Sequence, residues 1–355
     1  MTDLLTPLHL GQLTLQNRIF LAPLTRCRAS EGHIPNKLMA DYYAQRATGG
    51  LLIAEATMAM AGNSAFWREP GIYDAAQVEG WKLVTRAVHA RGGRIFLQVW
   101  HGGRATHSLL NGDKQPVAPS AIAITDSETH TPKGKKPYEV PHALLDSEIP
   151  GIVQGFRAAF DNAKHAEFDG VEVHGANGYL LDQFLRDGSN QRTGPYGGSM
   201  ENRARLLLEV TQAACDVFGK DRVGVRISPL NSFNSMKDSD PTALATYVAQ
   251  RLDAMQIGYL HLMRADFFGA QKGDLLTPVR KAFRGVLVAN MGYTPDEASA
   301  AVASGAVDAI AFGTSFLANP DLPRRIREKA PLQQADSKSF YTPGAKGYTD
   351  YPVLG

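Results

Sequence analysis

The sequence predicts a (β/α)8 TIM barrel folded as a single domain over residues 1–355. Three observations predict it. Eight short apolar runs alternate with segments of helical period, no composition break divides the chain, and the first strand-to-helix turn lacks the glycines of a doubly wound nucleotide-binding sheet. That turn reads Ala22-Pro23-Leu24-Thr25-Arg26.

The predicted strands span residues 19–25, 51–57, 94–101, 170–174, 223–228, 259–263, 285–290 and 309–313. Each is a few β-branched and aliphatic residues long, the composition of parallel strands covered on both faces. Between them run amphipathic segments. Residues 77–90 place Val78, Trp81, Val84 and Val88 on one face, and others cover 200–218, 241–255 and 295–303. Punctuation agrees with this division. Gly49-Gly50 and Gly92-Gly93 end helical patterns where a left-handed cap is wanted, and Thr294-Pro295 pairs an N-cap with a first-turn proline.

Composition narrows the function. The chain of 355 residues is 44% hydrophobic, and 37 Lys plus Arg against 35 Asp plus Glu leave a net charge of +2. These charges are spread along the chain, so nothing predicts binding to nucleic acid or to an anionic membrane. Two cysteines, Cys27 and Cys215, exclude a disulfide framework, a Cys-rich zinc site and a four-thiolate iron–sulfur cluster. No secretory signal is visible. The longest apolar run, 51–60, contains Glu55 and is too short to cross a bilayer. The expectation is a soluble, cytoplasmic globular protein without a metal, a monomer or homodimer.

Two regions fall outside the alternation. Residues 102–146 are rich in Pro, Gly, Ser, Thr and Lys and have no sustained period, which after the third strand predicts a lid or binding excursion. Residues 330–355 carry Phe340, Tyr341, Tyr348 and Tyr351, an aromatic content that predicts a tail packed on the barrel.

In such barrels chemistry sits at the C-terminal strand ends. There the sequence places Thr25, Ala56, Gln98, Trp100, His101, His174, Arg226, Asn290 and Gly313-Thr314. This ring of donors has few carboxylates, and it suits a planar, electron-rich anionic ligand. In Val173-His-Gly-Ala-Asn-Gly-Tyr179, His174 and Asn177 are two neutral donors for one acceptor oxygen, and the Tyr179 phenol can give a proton. The bland alternative is a capped turn with a buried tyrosine. Arg226 aims a permanent cation at the barrel mouth, unless it merely pairs with Glu172. The loops 289–292 and 312–315, with Gly292 and Gly313, stand where barrels often bind phosphate. Glu55 and Glu172, inside strands, are read as structural partners of Arg or His.

At these residues the chain resembles the old yellow enzymes, flavin-dependent ene-reductases, and in particular their N-ethylmaleimide and xenobiotic reductase branch. The resemblance rests on Ala22-Pro-Leu-Thr-Arg26, Gln98-Val-Trp-His-Gly-Gly-Arg104, Val173-His-Gly-Ala-Asn-Gly-Tyr-Leu180, Asp182-Gln-Phe-Leu185, Arg192-Thr-Gly-Pro-Tyr-Gly-Gly-Ser199 and Gly347-Tyr-Thr-Asp-Tyr-Pro352. It implies a non-covalent FMN, with NADPH or NADH as reductant and enones, maleimides or nitroalkenes as substrates. Pro23, Leu24, Thr25, Ala56 and Gln98 then line the flavin ring, Thr25 at its O4 edge, and Arg226 faces its N1–O2 side. His174 and Asn177 bind the substrate oxygen, Tyr179 is the proton donor, Trp100 a wall near the substrate and Tyr351 an aromatic over the pocket. Cys27 is expected to point away and pack.

One departure stands out. The resemblance calls for arginine after the glycine of the eighth strand, at the FMN phosphate, and this chain has Thr314. Loss of a charge-assisted contact costs about 1.5–3 kcal/mol, which is roughly ten- to hundredfold in affinity. Weakened FMN binding is therefore expected, and a flavin-free small-molecule-binding barrel is the alternative. A metal-dependent hydrolase built on His101 and His174 lacks convergent carboxylates, and a Schiff-base lyase lacks a lysine at any strand end.

Overall fold

The computed structural model describes residues 3–355. Eight parallel strands form a closed barrel: β1 (Ile19–Leu21), β2 (Leu51–Met58), β3 (Ile95–Trp100), β4 (Gly170–Gly175), β5 (Val223–Ile227), β6 (Tyr259–Met263), β7 (Val286–Asn290) and β8 (Ala309–Phe312). The last closes on the first, Ile310 opposite Ile19 and Phe312 opposite Leu21. Outside lie α1 (Lys37–Gln45), α2 (Ala75–His89), α3 (Ile149–His165), α4 (Met200–Phe218), α5 (Pro241–Met255), α6 (Leu276–Ala282), α7 (Pro295–Ala303) and α8 (Leu322–Glu328). Two short helices, Leu180–Leu185 and Thr314–Ala318, sit directly after β4 and β8.

Side-chain caps fix several helix starts. Asp74 accepts from the Gln77 N–H, Ser199 from Asn202, Asp240 from Ala243 and Thr294 from Glu297. The Asp74 cap starts α2 two residues before its predicted boundary. Residues facing outward from the strands, such as Ile19, Leu52, Leu97, Val99, Val173 and Val225, are fully buried against the helices.

The bottom of the barrel is sealed. An antiparallel hairpin, Leu8–Leu10 with Leu13–Leu15, places its four leucines against Phe20, Ile53, Phe96, Tyr259 and Val288 of the interior. Over Gly224 the Tyr259 ring fills the space, and a Cβ there would lie 2.1 Å from it. Access is left to the C-terminal end, where the strand ends open.

Between β3 and α3 the chain makes two 3-10 turns, an antiparallel hairpin of Glu128–Thr131 with Gly134–Pro137, and a short parallel pairing of Val117–Ala118 with His142–Ala143. At the other end of the sequence Tyr348 is fully buried and stacks on Tyr42 at 4.1 Å. The Arg26 and Arg28 guanidiniums donate to the carbonyls of Phe340, Gly347 and Ser339, tying the last residues to the loop after β1. Among the described residues no helix is long and apolar enough to cross a membrane.

Candidate active site

Strand pleat decides which side chains point into the barrel. Gln98 is opposite Glu172, His174 opposite Arg226, and Arg226 opposite His261, which is itself opposite Val288. Partners in register share a face, as do residues two apart on one strand. Gln98, Glu172, His174, Arg226, His261 and Asn290 therefore all face the interior. Just above them is a cavity of about 270 Å³, bordered by Pro23, Leu24, Thr25, Ala56, Gln98, His174, Asn177, Tyr179, Arg226 and Thr314. It continues into a second space of about 260 Å³, bordered by Asn290, Met291, Gly292, Gly313, Thr314 and Ser315. The loops after β7 and β8 thus meet at one end of the cleft.

Glu172 organises the floor. Its carboxylate accepts from Gln98 Nε2 at 2.7 Å, Tyr259 Oη at 3.0 Å and His261 Nδ1 at 2.9 Å. Burial opposes the charge, yet His261, Arg226 and the Gln98 hydrogen bond hold the carboxyl below its usual range. Glu172 thus uses one amide hydrogen of Gln98 and leaves its Oε1 and the other hydrogen for the cleft. Arg226 makes no direct ion pair with Glu172. The guanidinium stays a free cation at the mouth, with Nε buried and unpaired.

His174 is buried. Desolvation first, then the Arg226 charge, pushes its imidazole well below its ordinary pKa, so it is a neutral donor. Asn177 sits in left-handed backbone with φ 60°, followed by Gly178 at φ 73°. Its N–H donates to Ser228 Oγ at 2.7 Å, its carbonyl accepts from Asn234 Nδ2 at 2.9 Å, and its Oδ1 accepts from Asn231 Nδ2 at 2.9 Å. The oxygen of the amide is occupied, which turns its NH2 toward the cleft. The Tyr179 ring lies 5.3 Å from His174 and edge-on to Trp100 at 4.3 Å. Burial pushes this phenol well above its ordinary pKa, with Tyr138 and Tyr341 adding to the shift, so it stays protonated.

Two predicted positions do not line the cavity themselves. Trp100 is fully buried behind Tyr179 and His174 rather than bordering the cavity, because it packs under Phe66. Tyr351 turns away from the cleft, its hydroxyl accepting from the Asp336 N–H, and Phe340 and Tyr341 border the cavity in its place. Cys27 is buried and does not border this cavity. Its backbone is left-handed at φ 55°, and its side chain borders an adjoining cavity. Sequence reading missed Asn231, Ser228, Phe267 and Tyr341. The run of amides in Asn231-Ser-Phe-Asn234 was the one available signal.

Three polar atoms in this wall, Arg226 Nε, His174 Nδ1 and Asn290 Oδ1, are buried without partners. Unpaired groups gathered around one cleft call for a ligand that supplies their partners. Among the described residues the only cation bordering the cleft between β7 and β8 is Arg226, and Thr314 and Ser315 offer neutral donors.

A family model described as NADH:flavin oxidoreductase / NADH oxidase matches residues 3–333. The chain belongs to this family. It is 49% identical over 356 residues to a Leishmania infantum protein named "Probable flavin mononucleotide-dependent alkene reductase", covering 99% of this chain and 97% of that one. It is 46% identical over 358 residues to 12-oxophytodienoate reductase 1 of Oryza sativa subsp. japonica, covering 99% and 93%. Among solved structures, the old yellow enzyme of Trypanosoma cruzi superposes with a TM-score of 0.97 at 43% identity, covering 99% of each chain. The old yellow enzyme homologue of Zymomonas mobilis gives 0.96 at 45%, covering 99% and 100%. An old-yellow-enzyme barrel of this family implies FMN, and the cleft fits it. Gln98 offers a donor and an acceptor to an imide edge, Arg226 faces negative charge, and the unpaired wall atoms await a polar ring.

Proposed function

We propose that this protein is an FMN-dependent NAD(P)H oxidoreductase reducing the C=C bond of α,β-unsaturated carbonyls, maleimides and nitroalkenes. One observation carries the reading: His174, Asn177 and Tyr179 converge on the cavity whose floor is Thr25, Gln98 and Arg226. Pro23, Leu24, Thr25, Ala56, Gln98 and Arg226 would hold the ring. Asn290, Gly292, Gly313 and Thr314 would border its phosphate end. FMN, when bound, supplies hydride taken from NADPH or NADH and given to the alkene.

The chain's own residues do the rest. The neutral His174 and the Asn177 NH2 donate to the substrate's carbonyl or nitro oxygen and stabilise the charge that develops there. A charged imidazole beside Arg226 would add a second buried cation, so neutrality at His174 lets both groups share the mouth. Tyr179 Oη gives its proton to the α-carbon. Trp100 and the Asn177 backbone contacts hold these donors in place before substrate arrives.

The test is a spectrum of the purified protein with added FMN. Flavin absorbance that bleaches with NADPH or NADH under anaerobic conditions and returns with 2-cyclohexenone supports the reading. A protein that ignores FMN, or one whose bleached flavin is untouched by the alkene, overturns it. Thr314 favours one alternative, a flavin-free barrel that only binds small molecules, and the same spectrum separates the two.

A further inference from the structure

Past Tyr179 the cleft opens into another cavity, of about 550 Å³, larger than either space already described. Its walls are Phe66, Trp67, Tyr138, Phe233 and Tyr341, with Cys27, Ala65 and Ala105 as a floor of small side chains. Ser127 to His130 of the hairpin segment after β3 form its far side. Phe66, Tyr179, Phe233 and Tyr341 border both this chamber and the inner one, and so form the neck between them. The Phe66 and Tyr341 rings stand 5.8 Å apart with 20° between their planes. Trp67 is 62% exposed at the outer mouth, with the Arg68 guanidinium 4.9 Å from its ring centre. Large aromatic surface left in this way beside a reaction site marks a place for an apolar group.

We propose that this outer chamber receives a flat aromatic arm carried on the α-carbon of the alkene substrate. The proposal rests on the enone reduction proposed above and names the substrate class within it. Neither His174 nor Asn177 borders the outer chamber, whereas Tyr179 borders both it and the inner one. With the carbonyl oxygen at His174 and Asn177, the α-carbon faces Tyr179, the group that protonates it. A substituent on that carbon therefore leaves past Tyr179 into the outer chamber. The β-carbon faces the floor of Pro23, Leu24 and Thr25, and the space beyond that floor is the cleft between the β7 and β8 loops, which the phosphate end of FMN would take. The floor also tolerates an electrophile. Cys27 is buried beside Glu69 and Glu55, so its sulfur stays a thiol rather than the thiolate that adds to activated alkenes.

The experiment compares three substrates on the FMN-loaded protein: 2-cyclohexenone, its 2-(naphthylmethyl) derivative and the 3-(naphthylmethyl) isomer. Two variants, Trp67→Ala and Ser127→Trp, alter the chamber at exposed positions, one by removing a wall and the other by filling the space. Expected is a kcat/KM for the 2-substituted enone at least about tenfold above that of the 3-substituted isomer. In both variants the ratio of the 2-substituted to the unsubstituted substrate falls by about tenfold. Equal rates for the two isomers, or variants that leave the ratio unchanged, overturn the chamber's role. Failure of the wild-type protein to reduce 2-cyclohexenone overturns the underlying reaction, and the two failures are thereby distinct.

Discussion

Asn231 donates its side-chain amide to Asn177 Oδ1 at 2.9 Å, and this contact decides which end of the Asn177 amide is left for the cleft. Asn231 is itself buried, and its own Oδ1 receives the Phe267 N–H at 3.3 Å. Its orientation is thus fixed from the far side by the loop after β6. Replacing this donor with an acceptor reverses the preference. In Asn231→Asp the carboxylate repels Asn177 Oδ1, the amide turns, and an oxygen faces the substrate's oxygen. The expected result is a loss of about 1–3 kcal/mol in substrate binding, read as a raised KM for 2-cyclohexenone. FMN content and the rate of flavin reduction by NADPH should stay as in wild type. A variant with an unchanged KM removes Asn231 from the site's design.

Tyr179 offers a cleaner separation of roles. Its ring is seated against Trp100, so Tyr179→Phe keeps the packing and deletes only the hydroxyl. Removal of a positioned acid is expected to slow alkene reduction by about 10²- to 10⁴-fold. Flavin reduction by NADPH, followed in a stopped-flow instrument, should be nearly untouched. If both half-reactions fall together, the phenol is doing something other than protonating the α-carbon.

These roles differ in how legible they were in the sequence. His174, Arg226 and Gln98 could be placed because strand pleat has a fixed period of two, so a residue near a strand end has a calculable direction. Helices α4, α5 and α7 likewise followed from hydrophobic spacing and capping residues. The hairpin beneath the barrel was not read, since two three-residue strands are too short to show alternation. Trp100 lies two residues past Gln98 and so takes the inward face that the pleat assigns, but only tertiary packing shows that Tyr179 stands in front of its ring. Tyr351 and Tyr341 were confused because both belong to a tail without regular structure, where no period assigns direction. That tail is placed by Arg26, Arg28 and Arg46, whose carbonyl partners lie some three hundred residues away and leave no local trace.

Thr314 carries a prediction about affinity rather than rate. It borders the cleft between the β7 and β8 loops, where Arg226 is the sole cation among the described residues. Thr314→Arg should tighten FMN by roughly ten- to hundredfold. Riboflavin, which lacks the phosphate, should gain little. Fluorescence titration of both flavins against both proteins measures the difference. Equal FMN affinity in wild type and variant would mean that Thr314, Ser315 and the backbone already supply what the arginine would.

The last prediction concerns pH and a buried carboxyl. Glu69 is fully buried, and one oxygen accepts from the Ala65 N–H at 3.0 Å while the other has no partner. Burial raises its pKa from 4.5 to about 7. The folded protein therefore holds this proton more tightly than the unfolded chain does. Between pH 4.5 and about 7 the unfolded chain releases the proton first, so stability falls as pH rises. Above that window the whole cost remains, on the order of 3 kcal/mol. Glu69→Gln keeps the acceptor for Ala65 and removes the ionisation. Its melting temperature should match wild type at pH 4 and exceed it by several degrees at pH 8. Because Glu69 folds the loop that carries Phe66 and Trp67, a variant that gains stability at both pH values would instead locate the strain in that loop's packing.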